Sequence, residues 1–210
     1  MKMTPCTFLL ATAVMVLTTG TLHAAKKTPN SPSPANVVDV SSGQIDYNLN
    51  PTFNSVLLSQ GVVISFHGST EAVPANSPKG TRGFRVYGGE VDTNSGEGEF
   101  QSVGDLQLTN GTMTVILRHM TLDTTGAVPV ITAEVLVNGS ITGRVPVFTL
   151  VVDDLFSTPP AGTTFSTPTV AMAVSDSFVT LFNSIFNAKV MFLGLGAGTA
   201  SVTATIGTIG

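Results

Sequence analysis

Phe84-Arg-Val-Tyr-Gly-Gly-Glu-Val-Asp92, Gly96-Glu-Gly-Glu-Phe100 and Leu106-Gln-Leu-Thr-Asn-Gly-Thr-Met-Thr-Val-Ile-Leu117 follow one another closely in the chain. Each is a short run of alternating apolar and polar residues, and glycines or Asn110-Gly111 separate them. A period of two is the mark of a half-buried strand. Asn-Gly favours the φ > 0 turn that matches the twist of paired strands. The stretch reads as an antiparallel β meander. It holds no cluster of reactive side chains, so it decides the architecture without pointing to a reaction.

Outward from it, strands are expected at residues 84–87, 98–103, 106–109, 113–123, 130–137 and 141–152. Asn138-Gly139 marks a second hairpin turn. Both Asn-Gly sites are also Asn-x-Ser/Thr sequons, but nothing else indicates a eukaryotic secretory route, so the turn reading is preferred. Residues 157–169 are a Pro/Thr/Gly loop. Ser175 then caps a helix whose Phe178, Leu181, Phe182, Ile185 and Phe186 share one face, and residues 190–193 and 201–206 look like closing strands. On the N-terminal side, Asn50-Pro51 is a helix start. Phe53, Val56 and Leu57 share a face and Gly61 supplies a stop, which gives a helix over residues 51–60. A strand at 62–67 and a loop at 68–83 complete the path. There is no internal repeat. The fold expected is all-β, an antiparallel β-sandwich with two short helices.

Residues 1–24 read as a secretory signal peptide: Lys2, an apolar run from Phe8 to Leu17, and small residues leading to a cleavage site after Ala24. The apolar run is shorter than the roughly 20 residues that span a bilayer. Residues 25–36, with three prolines, read as a linker, and 37–210 as one domain. Cleavage removes Cys6 and Lys2, which leaves no thiol and eight Lys and Arg against thirteen Asp and Glu. That acidity opposes binding to nucleic acid, which needs a basic stripe, or to an anionic membrane surface. No later segment is apolar enough to span a membrane. The expected location is secreted or in the cell envelope.

Candidate chemistry is sparse. Of the two histidines left, alternation places His119 on the face of Met113, Val115 and Leu117, opposite Ile116 and Arg118. His67 ends its strand beside the long loop. Glu90, Asp92, Glu97, Glu99 and Asp105 surround a turn, but they lack the ligand count of a calcium loop. Asp153-Asp154 marks a strand emerging into solvent. There is no Gly-x-Ser-x-Gly elbow, and no tryptophan to build a sugar platform. The glycines at 194, 196 and 198 lack the strand-to-helix setting of a phosphate loop. The expectation is no enzyme, no catalytic residue and no metal site.

The order of these elements resembles the HtaA-type domain of bacterial cell-surface proteins over most of residues 40–206. The resemblance rests on Gly88-Gly89-Glu90-Val91-Asp92 with Gly96-Glu97-Gly98, and on the late helix ending Phe186-Asn187. It implies an exported, mostly β fold with two small helices. Members that bind haem ligate the iron through a tyrosine on the early helix, just after a Ser-Phe pair, and support it with a histidine in a Gly-His-x-Gly-x-Leu stretch. With Thr52-Phe53 on the pair, the ligand position falls on Val56. The histidine stretch falls on Ser102-Val103-Gly104-Asp105-Leu106, with Val103 in the histidine's place. With both positions lost, the export signal, the sparse ionisable groups and the β-rich meander point to an exported, non-enzymatic binding or structural module resembling HtaA domains, without cofactor, whose partner is an envelope protein or a small apolar ligand. The alternative is haem binding or transport at the cell surface, with Tyr47, Tyr87 and His67 as substitute ligands. A pocket beside the first helix is expected to be lined only by Val and Leu.

Overall fold

The computed structural model describes residues 36–68, 70–71, 77–151, 163–188 and 191–207. Residues 1–24, read above as a signal peptide, and all but the last residue of the expected linker lie outside them, as do Asp153 and Asp154. The elements run in order β1 (Val37–Leu49), α1 (Pro51–Ser59), β2 (Val63–His67), β3 (Thr70–Glu71), β4 (Arg82–Asp92), β5 (Gly98–Ser102), β6 (Asp105–Thr109) and β7 (Thr114–Asp123). Then follow β8 (Val130–Val137), β9 (Ser140–Val151), β10 (Thr164–Ser166), β11 (Val170–Val174), α2 (Asp176–Phe186) and β12 (Gly196–Ile206). The all-β reading with two short helices holds. No helix among the described residues is long and apolar enough to cross a membrane.

All pairings are antiparallel and join into one hydrogen-bonded path. From β7 it runs through β5, β4, β1, β12, β11, β9 and β8, and the β7–β8 pairing closes it. Closure removes free edges along the ring. The inward residues form one core, including Ile45, Phe84, Phe100, Leu117, Ile131, Phe165 and Val202. Phe100 and Phe165 stack across it at 5.0 Å between ring centroids. Both helices cover the sheet through β9, because Phe53 of α1 and Phe178 of α2 pack on Phe148 at 6.4 and 6.5 Å.

Local chemistry explains most element ends. Asn50 Oδ1 accepts from the Phe53 N–H at 2.6 Å, and Ser175 Oγ accepts from the Phe178 N–H at 3.2 Å, so both helices start on the expected caps. Asn138 and Gly139 both have positive φ, 49° and 84°, and lie between the paired Val137 and Ser140. That is the two-residue turn anticipated there. Asn110-Gly111 instead opens a four-residue loop, in which Asn110 Oδ1 accepts from the Thr112 and Met113 N–H groups.

Several boundaries differ from expectation. Residues 37–49 form the long central strand β1. Its Ser-Ser-Gly interior obscures the alternation, and its pairing with β4 and β12 on both edges decides it. The 157–169 loop contains β10, and β11 follows it. Residues 191–193 are not a strand, and the last strand starts at Gly196, so the glycine run lies largely inside the sheet.

His119 is also corrected. A bulge between Arg118 and Thr121 gives it φ 47° and turns it outward, and Met120 takes the buried position instead.

β5 and β6 are one kinked run, broken at Val103-Gly104. Gly104 has φ +119°, and a Cβ there would run into the Phe84 ring. Gly111 also has positive φ, but a Cβ there would meet open space. Gly104→Ala should therefore destabilise by at least about 2 kcal/mol, combining strain and overpacking. Gly111→Ala should lose only about 1 kcal/mol. Urea midpoints compare them, and equal losses would show that the Phe84 contact does not fix the kink.

Candidate functional site

Among the described residues β2 pairs only with β6, and so stands off the closed ring. The space between β2, the start of α1 and the segment entering β4 is a pocket of about 600 Å³. Leu49, Pro51, Ile64 and Phe66 supply its apolar wall, and Asn54, Ser65, Lys79 and Arg82 its polar groups. The expectation of a Val and Leu lining is therefore corrected: no valine lines it, and two cations do. The loop at 68–83 hid this, because its structure depends on contacts made elsewhere. The legible signal was Lys79 and Arg82, two cations three residues apart in an acidic chain.

The turn that carries them is firmly held. Thr81 is buried, and its N–H and Oγ1 both donate to the Pro78 carbonyl, at 3.1 and 2.7 Å. Asn48 of β1 donates from Nδ2 to Thr81 Oγ1 at 2.9 Å. Arg82 donates to the Thr81 carbonyl at 3.0 Å, and its guanidinium carbon lies 5.9 Å from the Phe66 ring centroid. Behind Phe66 the aromatic packing continues into the core through Phe84 to Tyr47, at 5.9 and 5.3 Å.

None of the three substitute ligands lines this pocket. Tyr47 is 2% exposed, and its hydroxyl makes no well-formed hydrogen bond. Burial raises its pKa well above the usual phenol value. The adjacent Ser102 opposes that rise only in part, since its own hydroxyl is committed to the Met120 carbonyl at 3.0 Å. Tyr87 is 49% exposed on β4. His67 is exposed at the end of β2, where its Nε2 lies 2.8 Å from Ser65 Oγ, a residue of the pocket wall. Val56 packs against the core, and the Val103 N–H donates to the Arg85 carbonyl at 2.9 Å. Neither lines the pocket.

Compared with solved structures, the chain is similar to the C-terminal domain of HtaA from Corynebacterium glutamicum. The TM-score is 0.61 at 18% identity, over 81% of this chain and 99% of that one. The N-terminal domain of the same protein gives 0.59 at 9% identity, over 80% and 99%. The haem-binding protein HtaB from that organism gives 0.54 at 11%, over 81% and 95%. The chain thus has an HtaA-like fold. No protein-family model and no curated protein matches it.

Outside the pocket, several ionisable groups make contacts that shape the fold. Asp92 Oδ1 accepts from the Asn94 and Ser95 N–H groups at 2.7 and 3.3 Å, which shapes the acidic turn. No group of three or more His, Cys, Asp or Glu converges among the described residues. Glu134 binds Arg118 Nε at 2.6 Å and lies 3.3 Å from His119 Nδ1. The Arg118 hydrogen bond is the main cause holding its pKa below the usual carboxylate value. Glu99 is shifted the other way, first by burial and then by Asp123 and Glu90. A raised native pKa means that the folded state binds more protons, so stability falls as pH rises through the shifted value. Glu99→Gln should therefore raise the unfolding midpoint at pH 7, and the gain should vanish near pH ~3.5, below the ordinary glutamate pKa. A pH-independent gain would show that charge is not its cause.

Proposed function

We propose that this protein is an exported, non-enzymatic binding module that seats a flat, largely apolar small molecule of the haem type in the pocket beside α1. The carrying observation is that pocket: it is concave, mainly apolar in its walls, with a few polar groups, and of a size that suits small-molecule sites. The likeness of the fold to a haem-binding protein supports the ligand type. Export rests on the signal-like residues 1–24. An envelope protein remains the other kind of partner, one that would receive or deliver the ligand.

The non-enzymatic reading has its own support. Ser65 and His67 lie at a nucleophile–base distance, but no carboxylate is within ion-pair reach of His67 among the described residues. A base without an orienting third group is a poor catalyst.

A second reading makes this a haem transporter in which His67 ligates the iron. Its one specific support is the contact of His67 with Ser65 of the pocket wall.

Hemin titrated into the mature chain should give a saturable Soret shift at one equivalent. Asn54→Trp, which fills the mouth from the surface of α1, should weaken binding at least about tenfold, or about 1.4 kcal/mol. Tyr47→Phe should leave it unchanged, with stability equal or higher, because it removes an unpartnered buried hydroxyl. Absence of saturable binding would sink the proposal, and loss of the spectral shift in His67→Ala would favour the second reading.

A further inference from the structure

We infer that the pocket holds its ligand through the ligand's carboxylates and not through a bond to a metal, so that its ligand class is a large apolar carboxylic acid whose metal is dispensable. This rests on the pocket being the binding site, and it specifies what is recognised there.

The argument starts from what the wall contains. Haem iron is held by histidine, cysteine, methionine or tyrosine side chains. The described lining residues, among them Leu49, Ile64, Phe66, Lys79 and Arg82, include none of these. The organic part of a porphyrin fits this wall and the iron does not. Tyr47 lies in the core, and its raised pKa disfavours the phenolate that an iron would need. His67 has its Nε2 on Ser65.

Among the residues whose side chains are described, the wall contains two cations and no carboxylate. In a mature chain with thirteen acidic residues against eight basic ones, that is a local inversion of charge. Neither Lys79 nor Arg82 has an ion-pair partner among the described residues.

Arg82 is also held in place. One N–H goes to the Thr81 carbonyl, and Phe66 lies under the guanidinium, while the planar fork has further N–H groups suited to a carboxylate. The turn bearing Lys79 is anchored through Thr81 to Pro78 and to Asn48 of β1. Arg82, fixed in advance, loses less freedom when an anion binds. The pocket thus pairs an aromatic and aliphatic wall with a basic rim, which is complementary to an apolar ring system carrying carboxylates at one edge.

Three probes test this on the mature chain: hemin, metal-free protoporphyrin IX, and its dimethyl ester. The two acids should bind with dissociation constants within about threefold of each other, and the ester should bind at least about tenfold more weakly. Arg82→Gln and Lys79→Gln, both at exposed positions, should each weaken the metal-free acid by about tenfold and leave the ester unchanged. Circular dichroism confirms that both variants fold.

Hemin binding more than about tenfold tighter than the metal-free acid, with the excess lost in His67→Ala, would overturn the inference and leave the pocket as the site. Equal binding of ester and acid would overturn it in the same way. Failure of all three probes would instead remove the pocket reading itself.

Discussion

Strand β7 hydrogen-bonds to β8 along one edge and to β6 and β5, end to end, along the other. Because β5 and β6 share that edge, the ladder turns a corner at Val103-Gly104 and closes on itself. The same device recurs: β3 and β5 share an edge of β4, and β10 and β11 share an edge of β12. Each break falls where an extended run cannot continue, at Gly104 or at Thr167-Pro168-Thr169. Closure gives a single apolar core, and a core with Phe84, Phe100, Phe165 and Phe178 all fully buried explains how the domain can do without a disulfide.

The corner also makes the pocket. β6 leaves the ring after Gly104 and takes β2 with it, so that β2 stands away from β1 and β4. Without the kink, β5 and β6 would be one straight strand and β2 would have no reason to stand apart. The gap opens beside Leu49 and Arg82, at the end of β1 where α1 begins, and α1 and the 78–81 turn close its sides. Core packing reaches the site through the Tyr47–Phe84–Phe66 chain of rings. Phe84 is therefore both the residue that Gly104 must clear and the backing of the pocket wall.

Much of this was legible from local rules. Both helix caps, the Asn138-Gly139 turn and β8 depend on side chains near in sequence, and the chain states them. What was hidden depends on distant partners. β1 lacks a clean alternation through Ser41-Ser42-Gly43, and is a strand because β4 and β12 hold it from both sides. Gly43 fits there because a Cβ would crowd the backbone of β12 at Ala204. His119 was misplaced because a bulge adds one residue and reverses every later inside–outside assignment; the buried Met120 and Leu122 show the shift. The polar side of the pocket was hidden for the same reason, since Lys79 and Arg82 reach it only through a turn pinned by Asn48.

The position of the pocket bears on how far the likeness to haem-binding folds extends. A shared fold does not fix the chemistry of a site, which is set by the side chains that occupy it. Here the helix position that the resemblance assigns to an iron ligand carries Val56, packed on the core, and the position assigned to its supporting histidine carries Val103, in the kink beside Arg85. Neither side chain lines the pocket, so neither sets the chemistry of its wall. At its edge, a buried threonine and an asparagine on β1 hold the turn that carries Lys79, and Arg82 lies over the Phe66 ring. These contacts stabilise the turn and the guanidinium whether or not a ligand is bound, and they leave a basic edge beside an apolar wall.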